Sequence, residues 1–325
     1  MVIANRCRKV KNVLVTGGCG FIGSHLVDAL ISKGVNVQVL DNLSTGTMQN
    51  LKQWVGNSRF RLVEGDLLDT EALKSLNGEY DCVFHLAANP EVRVSSTNPQ
   101  IHFQQNVIAT YNLLEYLRET RNTAKLAFVS TSAVYGEPKI MPTPETYAPL
   151  IPISVYGATK LACEAIITAY AYTYRFEARI FRLANVVGPR SNHGVIHDFI
   201  LKLRNTPSQL EILGDGTQIK SYLYVDDCVQ ALIKGVEETE GQVEVFNIGS
   251  DDQINVKKIG EIVIEAMQLQ DVEIKLTGGV DGGRGWRGDV KIMLLDSEKM
   301  KSVGWNPKLN SNQAVKQTAS EILAL

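Results

Sequence analysis

The spacing of hydrophobic residues changes twice within the first forty positions of the chain. Residues 13–15 form a short apolar run, as in a buried β-strand, and the apolar residues between positions 21 and 30 recur at helical spacing. Residues 35–39 then alternate between valine and polar side chains, as in a second strand. The pattern therefore predicts a strand, a helix and a second strand, which together make a βαβ unit.

The same alternation continues as far as residue 185. Strand patterns occur in FRLVEGD, DCVFHLAA and LAFVSTSAVYG, and the helix patterns EALKSL and NVIATYNLLEYLRE lie between them. Five of the ten prolines lie between residues 137 and 154, which predicts a loop there. Alternating β and α elements predict an α/β fold, namely a doubly wound parallel sheet with helices on both faces and ligands at the carboxyl ends of the strands.

The regular alternation weakens after residue 185. We predict that residues 1–185 form the main α/β domain and that residues 223–250 return to it. Residues 186–325 are predicted to be mainly a smaller C-terminal lobe. The boundary between the two parts is therefore interleaved in the sequence.

The composition favours a protein that acts on small molecules. The chain has 325 residues, of which 44% are hydrophobic and 21% charged, and its formal net charge is −2. Such a balanced charge gives no basic field for nucleic acid or for an acidic membrane surface. The basic start of the chain lacks the apolar core of a signal peptide, and no run of about 18 apolar residues occurs. We therefore expect a cytoplasmic protein that binds neither nucleic acid nor membranes.

The cysteines and histidines give no metal-binding pattern. The five cysteines are widely spaced, without a C-x-x-C pair, which favours reduced thiols over disulfides or a zinc site. His193 and His197 are four residues apart, but a zinc site needs more ligands than two. We predict that the protein holds no metal.

Three glycines mark the first strand-to-helix turn. Gly17, Gly20 and Gly23 stand where glycine permits a tight turn, the close approach of a pyrophosphate, and the close packing of helix on strand. Asp41 follows Gly23 by 18 residues, at the end of the second strand. A carboxylate at that point can bind both ribose hydroxyls of adenosine and repels a 2′-phosphate. This arrangement predicts a dinucleotide site that prefers NAD to NADP.

A tyrosine and a lysine four residues apart suggest acid–base chemistry. In a helix, Tyr156 and Lys160 lie one turn apart on the same face. A tyrosine phenol normally titrates near pH 10, and a nearby cation can lower its pKa by roughly 1 to 3 units. The pair could therefore act as a base near neutral pH, although the short pattern alone is also that of an ordinary amphipathic helix.

Several motifs in a fixed order carry a family resemblance. They are the glycine-rich turn, DNLSTG, EGDLLD, FHLAA, the strand that bears Ser130 and Thr131, YGATK, RLANVVGPR and GDGTQIKSYLYVDD. In this order the chain resembles the extended short-chain dehydrogenase/reductase family, and within it the nucleotide-sugar epimerases of the UDP-glucose 4-epimerase type. The resemblance spans roughly residues 10–320 and implies a Rossmann-type fold with bound NAD.

The resemblance also implies roles for particular residues. It makes Tyr156 the catalytic base, Lys160 its electrostatic partner on the nicotinamide ribose, and Thr131 a bridge between Tyr156 and the substrate. With Tyr156 and Lys160, the implied cofactor-binding residues are Gly17, Gly20, Phe21, Ile22, Gly23, Asp41, Asn42, Asp66, Leu67, Ala87, Asn106 and Ser130. With Thr131 and Tyr156, the implied substrate-binding residues are Asn185, Leu213, Lys220 and Arg284.

The residues at the two positions that follow Thr131 distinguish the reactions catalysed within this family. Dehydratases place an aspartate and a glutamate there, and decarboxylases likewise carry a glutamate, because elimination needs an acid and a base. This chain has Ser132 and Ala133 instead. We therefore predict an isomerase that interconverts UDP-glucose and UDP-galactose through a 4-keto sugar. UDP-glucuronate and UDP-N-acetylhexosamine epimerases stay open as alternatives, and a dehydratase, a dehydrogenase or a non-catalytic NAD-binding protein is less favoured.

The substrate side departs from the family pattern in two places. Lys220 stands where many relatives have an arginine. The replacement keeps the positive charge but loses the two-pronged hydrogen bonding of a guanidinium group. The stretch RGWRGDV departs from the commoner Arg-Pro-Gly-Asp, so either Arg284 or Arg287 could meet the diphosphate, and we favour Arg284. The resemblance further suggests a homodimer formed by helices near residues 100–118 and 155–173.

Overall fold

The computed structural model describes residues 10–76 and 78–324, apart from the side chain of Ser95. Cys7 and the basic start of the chain lie outside the described residues. The other four cysteines are buried free thiols.

The strands are numbered in chain order. They are β1 (Asn12–Thr16), β2 (Asn36–Asp41), β3 (Phe60–Glu64), β4 (Cys82–His85), β5 (Lys125–Thr131), β6 (Ala178–Leu183), β7 (Asn185–Val187), β8 (Gln209–Ile212), β9 (Ile219–Lys220), β10 (Tyr222–Tyr224), β11 (Val243–Ile248), β12 (Ile254–Asn255), β13 (Glu273–Leu276) and β14 (Ile292–Met293).

The α-helices are numbered in the same way. They are α1 (Phe21–Ser32), α2 (Thr70–Lys74), α3 (Pro99–His102), α4 (Ala109–Glu119), α5 (Val155–Tyr174), α6 (Val195–Asn205), α7 (Val225–Glu237), α8 (Val256–Ala266), α9 (Glu298–Ser302) and α10 (Ser311–Ala324). A π-helical segment, Phe103–Ile108, joins α3 to α4, and 3-10 turns occupy Met48–Trp54, Val92–Ser96 and Ser132–Tyr135.

A seven-stranded parallel sheet forms the centre of the fold. Its strand order is β11-β6-β5-β4-β1-β2-β3, and in register Val13 pairs with Val37 on one side and with Cys82 on the other. The strands that follow β1 are first added on one side of it, as β2 and β3, and then on its other side, beginning with β4. This reversal of the strand order creates a crevice at the carboxyl ends of β1 and β4. The predicted α/β class and doubly wound parallel sheet are confirmed.

Alternate side chains of the sheet pack into two separate hydrophobic cores, one on each face. Val13 and Val15 of β1 face α1 and α7, whereas Leu14 between them faces α4 and α5. Because successive strand residues point to opposite faces, a strand covered by helices on both sides must be apolar at every position. This explains the unbroken apolar run at residues 13–15.

The part of the chain after residue 185 builds smaller sheets. β7 pairs with β10, β8 pairs with β13, and β9 lies between β12 and β14. Helices α6, α8 and α10 enclose a third core around Phe199 and Ile259. β11 lies beside β6 at the edge of the main sheet, and α7 packs on the core formed with α1. Within residues 10–76 and 78–324, no helix is long and apolar enough to cross a membrane.

Candidate active site

A cavity of about 430 Å³ opens beyond the carboxyl ends of the central strands. Ser130 and Thr131, at the end of β5, form part of its floor, together with Tyr156 from the first turn of α5. The opposite wall comes from the region after residue 185. Among the predicted site residues, those that line the cavity are Phe21, Ile22, Ser130, Thr131, Tyr156, Asn185, Leu213 and Lys220.

Local sequence fixes the position of Tyr156. Ser154 caps the start of α5, and its side-chain oxygen accepts a hydrogen bond from the Gly157 amide at 3.1 Å. A Cβ atom on Gly157 would lie only 2.7 Å from the carbonyl oxygen of Ala133. Glycine at that position therefore lets the first turn of α5 approach the Ser132–Tyr135 turn that follows Thr131.

Lys160 lies one turn further along the same face of α5, as predicted. Its side chain is buried at 3% exposure, and its Nζ atom lies 4.2 Å from the ring centroid of Phe128. Burial lowers the pKa of Lys160 to about 8. The buried ammonium group therefore releases its proton more readily than that of an exposed lysine and still carries its charge at pH 7.

The lowering of the Tyr156 pKa that we predicted is not produced by the protein's own groups. Withdrawal from water raises the pKa of Tyr156 to about 12, and hydrogen bonding with Thr131 opposes this only in part. The prediction considered the neighbouring cation and left out the desolvation of the phenol, which the sequence does not reveal. Tyr156 therefore needs a further positive charge beside it to act as a base near neutral pH.

A buried network behind the cavity was not predicted from sequence. Ser130 donates a hydrogen bond of 2.5 Å to Glu164, which lies one turn after Lys160 on α5. Glu164 also forms a buried ion pair with Arg182 of β6, at 2.7 Å. Arg182 in turn donates to the hydroxyl of Tyr135 at 2.9 Å. The network ties α5 to two neighbouring strands and so holds the floor of the cavity in place.

The glycine-rich turn provides a cradle for a pyrophosphate. Gly17 has a φ of +72°, and a Cβ atom there would lie 2.7 Å from the backbone nitrogen of Ala87. A Cβ atom on Gly23 would lie 2.1 Å from the carbonyl oxygen of Gly17. α1 begins after Gly20 without a side-chain cap, so its first amides and its dipole point toward a ligand at this turn.

Predicted adenosine-binding residues lie at the ends of β2 and β3. Asp41 accepts backbone hydrogen bonds from Cys19 and Leu43, each at 2.8 Å, and its carboxylate keeps further acceptor capacity. Asn42 donates to Asp66 at 2.8 Å, so this predicted pair is in contact. The cradle and this acidic edge together fit the pyrophosphate and adenosine ribose of NAD.

Three other predicted cofactor residues lie around this groove. Ala87 touches the Gly17 turn, as described above, and the side chain of Leu67 is buried. Asn106 is also buried, and both atoms of its amide are engaged. It accepts from the Asn89 amide at 3.0 Å and donates to Thr159 at 2.9 Å. In this position Asn106 joins the loop after β4 to the helix that carries Tyr156.

The stretch RGWRGDV does not place either arginine at the cavity. The guanidinium of Arg284 pairs with Glu137 at 2.6 Å, and Arg287 has a side chain that is 80% exposed. Trp286 lines the cavity between them, and nearby Lys220 forms an ion pair with Asp289 at 2.6 Å. The diphosphate contact predicted for Arg284 stays a prediction.

Arg93 and Glu91, in the loop after β4, were also missed. Both line the cavity, and Arg93 pairs with Glu91 at 3.0 Å and with Asp198 of α6 at 3.2 Å. Arg93 therefore spans the cavity from the Rossmann side to the opposite wall. The stretch PEVRVS has no feature that marks it as part of a site.

The comparison with known families agrees with this geometry. A family model described as GDP-mannose 4,6 dehydratase matches residues 14–318. The chain belongs to the extended short-chain dehydrogenase/reductase family. This confirms the predicted family, and the similar proteins described next are named as enzymes that act on nucleotide sugars.

The proteins that this chain is similar to catalyse more than one class of reaction. The chain is 34% identical to a putative UDP-glucose 4-epimerase of Methanocaldococcus jannaschii, over 95% of this chain and 97% of the relative. It is also 34% identical to UDP-glucuronic acid decarboxylase 3 of Arabidopsis thaliana, over 95% of this chain and 88% of that protein.

Solved structures of the family show the same range of substrates. The chain is 43% identical in sequence to a UDP-galactose 4-epimerase of known crystal structure. The two structures superpose with a TM-score of 0.85, over 96% of this chain and 99% of the epimerase chain. A UDP-glucuronic acid 4-epimerase of Bacillus cereus, in complex with NAD and a fluorinated UDP-glucuronic acid, is 30% identical, with a TM-score of 0.85 over 96% and 99% of the two chains. NAD is therefore the cofactor of this family, and the sugar varies among its members.

Proposed function

We propose that this protein is an NAD-dependent nucleotide-sugar 4-epimerase that interconverts UDP-galactose and UDP-glucose through a transient 4-keto sugar. The observation that carries this proposal is the floor of the cavity, where Thr131 and Tyr156 meet. Ser132 and Ala133, which follow Thr131, also line the cavity and bring no carboxylate there. Because neither of these two positions supplies an acid or a base, the site favours removal and return of hydrogen at one carbon over elimination.

Tyr156 takes the proton from the hydroxyl on carbon 4 of the sugar, with Thr131 bridging the two. NAD⁺, when bound, would supply the acceptor and later the donor of the hydride at carbon 4, and the sugar would receive the hydride on its other face. Lys160, with the positive charge of the cofactor, supplies the cationic surroundings that the raised pKa of Tyr156 requires. Lys160 also holds the nicotinamide ribose.

The remaining predicted residues bind NAD and the nucleotide part of the substrate. Gly17, Gly20, Phe21, Ile22 and Gly23 hold the pyrophosphate of NAD at the start of α1. Further cofactor contacts come from Asp41 and Asn42 at the ribose, Asp66 and Leu67 at the adenine, and Ala87, Asn106 and Ser130. On the substrate side, Asn185 and Lys220 bind the diphosphate region, and Leu213 packs on the base. For Arg284 to join them, its guanidinium would have to leave Glu137.

A uronic or N-acetylated sugar is the alternative substrate. Relatives that act on UDP-glucuronic acid support this reading, and Arg93 brings a cation to the cavity wall. Against it, Arg93 is already paired with Glu91 and Asp198, whose negative charges would repel a sugar carboxylate. The balance favours a neutral sugar over a uronic acid, and conversion assays separate a hexose from an N-acetylated sugar.

We also propose a homodimer and a cytoplasmic location. Phe103, Tyr172 and Tyr174, on the helices near residues 100–118 and 155–173, are 53%, 62% and 49% exposed. Apolar side chains exposed along adjacent helices are typical of an interface. A second copy of the chain, packed through these helices, would bury them.

The test is conversion of UDP-galactose by the purified protein without added cofactor, followed by proton NMR. We expect UDP-glucose to appear up to equilibrium, with no net NADH. A Tyr156→Phe variant should lose turnover by roughly 10²- to 10⁴-fold and still bind UDP, because it lacks only the phenolic proton acceptor. Absence of conversion in the wild type, even with NAD⁺ added, would overturn the UDP-galactose assignment and favour the other sugars.

A further inference from the structure

Trp286 occupies an unusual electrostatic position in the cavity wall. It lies between β13 and β14, and two cations flank its indole ring. The Cζ atom of Arg93 is 6.0 Å from the ring centroid, and the Nζ atom of Lys220 is 5.5 Å from it. Both distances are within the range of cation–π attraction, so the two cations hold the ring from different parts of the chain.

The indole nitrogen of Trp286 is an unused donor. Its Nε1 atom is buried and has no hydrogen-bond partner among the described residues. The other two tryptophans show the normal arrangement, because Trp54 donates to Asp28 at 2.6 Å and Trp305 donates to the carbonyl of Asp227 at 3.0 Å. A buried donor without an acceptor destabilises the fold, so its retention beside a ligand cavity points to a ligand acceptor.

The neighbouring cations cannot give their full charge to a ligand. Lys220 is paired with Asp289, and Arg93 is paired with both Glu91 and Asp198. An incoming anion would have to share each cation with a carboxylate. The N–H of Trp286 is neutral and has no competing acceptor, so it can add a full hydrogen bond. An anionic oxygen is the acceptor that strengthens such a bond most.

We propose that Trp286 binds the substrate and donates a hydrogen bond from Nε1 to a diphosphate oxygen of the nucleotide sugar. Lys220 and Arg93 hold the indole ring in place through their cation–π contacts. The choice of a nucleotide sugar as the ligand rests on the proposed function. One N–H bond is a weaker anchor than the two-pronged contact of an arginine, which the commoner Arg-Pro-Gly-Asp pattern has in this stretch.

The first experiment compares the wild type with Trp286→Phe by calorimetric titration with UDP and with UDP-glucose. Phenylalanine keeps an aromatic ring between the cations and removes the N–H. We expect both dissociation constants to rise by the same factor, roughly tenfold or more, because both ligands share the diphosphate. The Tm of the ligand-free variant should equal or exceed that of the wild type, since an unpaired buried donor has been removed.

Trp305→Phe is the matched control. It also removes a buried indole N–H, but one that has a partner and lies outside the cavity. We expect this variant to have a lower Tm and unchanged dissociation constants. The opposite signatures of the two variants separate a ligand contact from a structural role.

A second experiment needs no change in the cavity. The chain contains three tryptophans, so ¹⁵N labelling gives three indole N–H signals, which the two Phe variants assign. Addition of UDP should move the Trp286 signal downfield and leave that of Trp305 in place.

Several outcomes would overturn the proposal. The first is an unchanged affinity of Trp286→Phe for UDP, and the second is a loss of affinity confined to UDP-glucose, which would place the contact on the sugar. The third is a Trp286 indole signal that does not move when UDP is added. The fourth is failure of the wild type to bind any of UDP, dTDP and GDP. The proposed function fails separately. A wild type that binds UDP but does not convert UDP-galactose contradicts the epimerase assignment and leaves Trp286 to be judged by binding.

Discussion

The floor and the wall of the cavity are built in different ways. The floor consists of strand ends and the first turn of α5, held from behind by the buried network of Ser130, Glu164 and Arg182. The wall includes Arg93 of the 3-10 turn Val92–Ser96, Lys220 of the short strand β9, and Trp286 of the segment between β13 and β14. We therefore expect the proposed chemistry to depend on the rigid sheet and the binding of the substrate to depend on segments that lie outside it.

The largest stability effect should come from the network behind the floor. Glu164→Ala would leave the guanidinium of Arg182 buried without its carboxylate, and the pair is only 7% and 6% exposed. Breaking such a pair costs about 3–5 kcal/mol of the free energy of unfolding. Denaturant titration of the wild type and variant measures this difference.

Glu261→Ala provides the control for that prediction. Glu261 pairs with Lys258 at 2.9 Å on the exposed surface of α8, where both side chains are 54% exposed. Its removal should change the free energy of unfolding by about 0.5 kcal/mol or less. Equal losses in the two variants would show that the floor is no more tightly held than the surface.

Lys160 should give a smaller effect of the opposite sign. Burial lowers its pKa from 10.5 to about 8, so the folded state binds the proton less tightly than the unfolded state does. Stability is therefore reduced while the lysine is charged, below pH 8, and the reduction disappears as the pH rises from about 8 to 10.5. We expect cofactor-free Lys160→Met to be more stable than the wild type by about 1–3 kcal/mol at pH 7 and to lose turnover.

The pH dependence of that difference checks its cause. Denaturant titrations at pH 7 and near pH 10 should show the gap between Lys160→Met and the wild type becoming smaller at the higher pH. A gap that is constant with pH would mean that packing of the methionine, and not the charge of the lysine, produces it.

The sequence predicted the cofactor groove and the floor better than the wall for a physical reason. The βαβ pattern, the glycine turn, Asp41 and the Tyr156–Lys160 pair are local features, because periodicity and short spacings determine them. They appear in the structure where the pattern placed them. The fold class and the family could therefore be predicted before any coordinates.

The unpredicted features all depend on residues that are distant in the sequence. Arg93 meets Trp286 and Asp198 only after the two parts of the chain have packed together. The partner of Glu164 is likewise on another element, and the pKa of Tyr156 depends on its removal from water. Spacing along the chain contains none of this information, which is why Trp286 was overlooked in favour of the arginines on either side of it.

The measurement that tests the epimerase mechanism most directly is the fate of the hydrogen on carbon 4. UDP-galactose that carries deuterium at that carbon is incubated with the protein in ordinary water, without added cofactor, and the UDP-glucose formed is examined by NMR and mass spectrometry. Removal and return of one hydride predicts that the product keeps the deuterium at carbon 4. Loss of the deuterium to water, or its recovery in released NADH, would contradict this account.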